Sequence, residues 1–182
     1  MTFKTKRSDR VNSRQMLRNL GLGLALSAML AGTSACSKGA VVRYKLPNGA
    51  KFPISLGVEI PAGKNIIFLS GMTPPVIDTT QPKDSNAAYG DTKTQTIGAL
   101  KTIEASLKSM GLSMKDVVKM QVFMAGDPAK GGKMDFAGMM EGYTQFFGTP
   151  DQPNLPSRSA MQVASLANPG FLIEIEVAAV RP

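Results

Sequence analysis

The sequence contains no histidine and a single cysteine, Cys36, in 182 residues. The first absence removes Ser-His-Asp and Cys-His catalysis, imidazole metal sites and the commonest general base near neutral pH. The second rules out an intramolecular disulfide and a thiolate zinc cluster. Chemistry in this chain therefore has to come from carboxylates, arginine, lysine, hydroxyls and backbone groups. Long apolar runs are scarce as well. The pronounced one, from Leu20 to Ala31, contains two glycines and falls short of the roughly 20 residues that a membrane helix needs.

What is abundant is positive charge, a formal net of +8. Its distribution matters more than its size. Residues 1–35 hold six basic side chains against Asp9, a net of +5, which leaves +3 for the rest. The remaining charges are scattered, so no basic stripe marks a nucleic-acid footprint, and nucleic acid is not an expected partner.

A basic stretch, a short apolar run and a small-residue boundary together describe a secretory signal over residues 1–35. Cys36 follows Thr33-Ser34-Ala35, where a bacterial lipoprotein signal places its lipidated cysteine; Ser34 and Ala35 suit that motif, while Thr33 replaces the usual leucine. Ordinary cleavage after Ala35 stays open. The expectation is an exported protein, periplasmic or anchored to a membrane through lipid.

Residues 37–55 read as a tether and a first strand (Val41–Leu46), and residues 56–182 as the folded domain. Leu56–Ile60 and Ile66–Ser70 are β-branched runs joined by Pro61–Asn65, which suggests a hairpin. Proline, asparagine and aspartate make residues 72–90 a loop. Asp91 or Thr92 then caps a helix in which Ile97, Leu100, Ile103, Leu107 and Met110 recur at three- and four-residue spacings, with Gly111 as its stop. Val118, Met120, Val122 and Met124 alternate with Lys119, Gln121 and Phe123, a strand with one buried face. Phe136, Met139, Met140, Tyr143, Phe146 and Phe147 mark a second amphipathic helix. Ser159–Ala164 and Phe171–Val180 close the domain as a strand pair around the Ala167–Gly170 turn. Strand, hairpin, helix, strand, helix, hairpin is α+β logic: a six-stranded, mostly antiparallel or mixed sheet with two helices on one face.

The segment Leu155-Pro-Ser-Arg-Ser-Ala-Met-Gln-Val163 resembles the signature of the Rid/YjgF (RidA) family, the reactive-intermediate or imine deaminases, in which proline and arginine are separated by one residue. Ile66–Gly71, Gln95-Thr96, Gly111–Val117, Val122-Phe123, Tyr143-x-x-Phe146-Phe147 and Ile173-Glu-Ile-Glu176 follow in family order. The similarity runs from about Gly57 to Arg181. It implies a chorismate-mutase-like α+β subunit in a homotrimer, with ligand clefts between neighbouring subunits. The implied reaction is hydrolysis of a 2-imino or enamino acid to a 2-keto acid and ammonia, with neither cofactor nor metal. An older family label is endoribonuclease, which the weak mature charge and the missing histidine disfavour.

By the same resemblance Arg158 binds the substrate carboxylate. A planar guanidinium offers two parallel N–H donors and stays protonated when partly buried. The alternative is an arginine paired structurally with an acidic residue at the trimer interface. Glu174 matches the family glutamate that orients or deprotonates the attacking water, and in a chain without histidine a carboxylate is the natural base. Ser70, Gly71 and the backbone around Ala160 are the remaining expected ligand contacts. Three positions depart from the archetypal deaminases: Ile54 replaces a tyrosine, Met140 an asparagine and Ala160 a cysteine, which makes the expected pocket more apolar.

Overall fold

The computed structural model describes residues 39–182; the signal over 1–35 and Cys36 lie outside the described residues. Strands β1 (Val42–Tyr44), β2 (Gly57–Glu59) and β3 (Ile66–Phe68) precede helix α1 (Thr92–Ser109). Then follow β4 (Val117–Met124), α2 (Phe136–Tyr143), β5 (Ser157–Gln162) and β6 (Ile173–Val180).

The apolar stripe of the 92–109 segment makes α1. Ala99, Leu100, Ile103 and Leu107 are fully buried along it. Asp91 caps it by accepting the Thr94 N–H at 2.8 Å. At the far end Gly111 takes the left-handed conformation (φ 70°) that a helix stop favours. Helix α2 packs closely against α1 because Gly142 has no side chain: a Cβ there would stand 2.7 Å from that of Thr96.

Strand β4 behaves as its alternation predicts. Met120, Val122 and Met124 are buried in the core with Ile173, Ile175, Val177 and Ala179 of β6, beneath the two helices. The main sheet has the order β3-β6-β4-β5, with β4–β5 parallel and the other pairs antiparallel.

Two pairings differ from expectation. The six strands do not make one sheet: β1 and β2 form a separate antiparallel pair. The expected hairpin between 56–60 and 66–70 is absent, because β2 pairs back to β1 while β3 pairs with β6. The expected closing hairpin is likewise replaced. β5 joins the free edge of β4, so β4 separates β5 from β6. Helix α2 also stops at Tyr143, and Phe146 and Phe147 follow in turns that lead to Gly148 at φ 77°.

Val58 of β2 and the flanking Val41 and Ile60 pack in a small apolar cluster with Val118, Ala178 and Val180. This cluster lies on the sheet face away from the helices. Among the described residues the rest of that face is only partly covered, and Phe68 is 79 % exposed there.

Candidate active site

Sheet register fixes which way each expected site residue points. Arg158 is paired with Met120, whose side chain enters the core beneath the helices. Glu174 is paired with Phe123, three residues along β4 and therefore on the opposite face. Residues in register share a face, so Arg158 and Ala160 lie on the helix side and Glu174 and Glu176 on the open side. Three residues along the strand and two strands across place the two positions about 10 Å apart in each direction. One chain does not bring these two side chains to a single ligand.

The helix-side group is an arginine in a cage. The Arg158 guanidinium carbon stands 4.2 Å from the Tyr143 ring centroid, 5.5 Å from Phe52 and 6.0 Å from Phe136. Its Nη2 donates to the Met140 sulfur at 3.1 Å, and Nη1 lies 3.9 Å from the Met139 sulfur. The ion pairs among the described residues are Lys93–Glu141 and Lys130–Asp135, so Arg158 has no carboxylate partner there. Within one chain, no carboxylate among the described residues forms an architectural salt bridge with it. Burial lowers the Arg158 pKa while the nearby Tyr143 opposes that shift. A guanidinium starts so high that it remains charged.

The cage is built by local structure. Tyr143 sits on the inner face of α2, stacked on Phe147 at 4.9 Å between centroids. Its hydroxyl donates to the Pro53 carbonyl at 2.9 Å, which ties the 52–55 segment to the helix. That tether holds Phe52 parallel to Phe136, with centroids 6.3 Å apart and planes 10° apart. Burial pushes the Tyr143 phenol well above its ordinary value, so it stays a neutral donor. Phe52 also lines a cleft of about 410 Å³ with Tyr44, Leu46, Ile54 and Leu155.

The open-side group is formed by a bulge. Phe68 pairs with Ala178 and Met72 with Ile175, so four steps on one chain face three on the other. The extra residue falls at 69–71 and lifts Ser70-Gly71 out of the ladder beside Glu174. The Glu174 carboxyl lies directly on Gly71, and a Cβ at position 71 would collide with it. No ion pair holds Glu174 among the described residues, and Ser70 is exposed.

The five expected site residues thus fall into two clusters, Arg158 with Ala160 and Glu174 with Ser70-Gly71. Of the three departures, Met140 sits against the guanidinium and Ile54 lines the neighbouring cleft. The sequence did not single out Phe52 as a site residue; it marked Phe136 as a helix residue and Tyr143 as a helix residue and part of the family pattern. An aromatic beside proline in an otherwise polar loop was the available signal.

Arg158 is thus a half-buried arginine without an acidic partner among the described residues, on an edge strand of a two-helix α+β fold. The sequence comparisons agree on the kin of the chain. Residues 57–181 match the family model described as Endoribonuclease L-PSP, and the chain belongs to this family, the Rid/YjgF proteins that include RutC and TdcF. It is 31 % identical over 130 residues to the 3-aminoacrylate deaminase RutC of Acinetobacter baylyi, covering 71 % of this chain and 90 % of that one. A RutC family protein of Pyrococcus horikoshii is 37 % identical over 115 residues, 63 % of this chain and 79 % of its own. Among solved structures, Escherichia coli TdcF with bound serine is 33 % identical, with a TM-score of 0.50, covering 80 % of this chain and all of that one.

Proposed function

We propose that this protein is an imine and enamine deaminase, hydrolysing 2-imino or enamino acids to 2-keto acids and ammonia between subunits of a homotrimer. The observation that carries the reading is Arg158: a charged, half-buried guanidinium whose neighbours are rings and thioethers. Keeping such a charge out of water without a counter-ion is costly, and a substrate carboxylate supplies the missing partner. The relationship to a 3-aminoacrylate deaminase supports the reaction class.

Because Arg158 and Glu174 face opposite ways, the reading requires Arg158 of one copy to meet Glu174 of another. The partly covered sheet face with exposed Phe68 is a surface on which copies can assemble. In the assembled site Arg158 fixes the acid group with the imine carbon adjacent. Glu174 accepts a proton from water, whose oxygen adds to that carbon. That proton passes to nitrogen to give a carbinolamine; its hydroxyl proton then moves to the nitrogen as the C–N bond breaks, so ammonia leaves and the keto carbonyl forms. Backbone groups at Ser70-Gly71 and Ala160 line the ends of this space. General-base help of this kind is worth about 10²–10⁴-fold.

The basic and apolar N-terminal segment supports export, with Cys36 as the lipid-bearing residue. The mass of the processed N-terminus reads that out; an unprocessed chain in the cytosol would refute it.

The activity is tested by supplying imines from an amino-acid oxidase and following their decay. The proposal expects acceleration by the wild type and its loss in Arg158→Ala and Glu174→Gln. Binding of 2-keto acids without any acceleration would instead identify a carboxylate-capturing module.

A further inference from the structure

We infer that the Arg158 site selects acids with bulky apolar side chains, leucine- or phenylalanine-like, over small or hydrophilic ones, with Phe52 and Phe136 as the residues that decide. The inference rests on the proposal that Arg158 grips the substrate carboxylate and adds the identity of the side chain beside it.

The contacts recorded for the guanidinium are aromatic rings and thioethers. Phe52, Phe136 and Tyr143 surround it at 4.2–6.0 Å, and the sulfurs of Met139 and Met140 touch it. The hydroxyl in this shell belongs to Tyr143, and it is committed to the Pro53 carbonyl. A ligand side chain bearing a hydroxyl or charge would therefore lose its hydration here and find no partner.

Phe52 and Phe136 are at the same time 41 % and 36 % exposed. Two parallel rings, partly open to solvent beside a cation with no carboxylate partner among the described residues, form an apolar platform next to the acid-binding point. An apolar side chain laid on them removes water from both rings; a methyl group covers little of either. Phe52 is also a wall of the neighbouring 410 Å³ cleft, which Leu46, Ile54 and Leu155 line together with Arg43, Lys45, Lys51 and Asn154. Phe52 belongs to no helix or strand and is fixed through the neighbouring Pro53 carbonyl, so it adjusts to ligand size more readily than Phe136 on α2.

The test measures two series on the purified protein. In the first, calorimetry compares binding of 4-methyl-2-oxopentanoate and phenylpyruvate with that of pyruvate. In the second, kcat/KM is compared for imines made from leucine, phenylalanine, alanine and serine. The expected preference for the bulky members is at least about tenfold in both series, as a few methylenes in an apolar pocket give. In Phe52→Ala and Phe136→Ala the ratio of bulky to small falls toward one. Equal binding of all keto acids by the wild type, or a preference untouched in both variants, overturns the inference. Absence of turnover with the binding order intact defeats the deaminase reading while leaving the side-chain selectivity standing.

Discussion

The guanidinium of Arg158 lies over the ring of Tyr143, 4.2 Å from its centroid, and no carboxylate among the described residues balances its charge. Cation–π contacts offset part of the desolvation, each worth about 0.5–2 kcal/mol. They supply no counter-ion. The arginine is therefore expected to contribute little to stability, and recognition is the role proposed for it.

Arg158→Met follows directly. Nothing acidic is stranded by the change and a buried charge disappears, so unfolding free energy should shift by no more than about 1 kcal/mol. Affinity for a 2-keto acid should fall by about 2–5 kcal/mol. Chemical denaturation and calorimetry on the same preparation check both. A large loss of stability would show that the residue serves architecture.

Tyr143→Phe keeps the ring under Arg158 and removes the bond to Pro53. Stability at neutral pH should drop by about 1 kcal/mol, and KM should rise more than kcat falls as the Phe52 segment loosens. The phenol also has a pH signature. Its folded pKa is raised by burial, so its contribution is fully present below the unfolded value near 10 and is lost as pH climbs beyond it. The wild type should lose stability above about pH 10 more steeply than Tyr143→Phe. Parallel curves would contradict this assignment.

Gln95 is a third point of leverage. Fully buried on α1, it donates to the carbonyls of Gly90 and Gly170 at 2.9 and 3.0 Å and accepts the Leu172 N–H at 2.7 Å. It thereby fixes the entry to β6, two residues before Glu174. Gln95→Leu leaves these groups without partners and should cost about 2–5 kcal/mol, measured by denaturant unfolding. A neutral outcome would mean that water replaces the amide.

These cases show what the sequence can and cannot express. Periodicity located α1 and β4 because burial of one stripe or one face is written in the residues themselves, as Leu100, Ile103 and Met120 illustrate. Alternation reveals which face is buried but not which strand lies alongside, so Ile66–Phe68 gave no sign that it joins β6 across more than a hundred residues. Pro61–Asn65 has turn chemistry without being a hairpin. The pattern of α2 continued through Phe147, yet the helix ends at Tyr143, ahead of Gly148 in its left-handed conformation. Motif resemblance singled out Arg158 and Glu174; only register shows that they look away from each other. Phe52 offered only its place beside a loop proline, because nothing local links an exposed loop aromatic to an arginine about a hundred positions later.

The most direct test of the account is subunit complementation. Arg158→Ala and Glu174→Gln chains are each prepared, mixed in equal amounts, unfolded and refolded together, and assayed for imine hydrolysis. If every site draws its arginine from one chain and its glutamate from a neighbour, random assembly restores about a quarter of the wild-type rate from two inactive parents. A mixture with exchanged subunits that stays as inactive as its parents, beside an active wild type, would contradict the account.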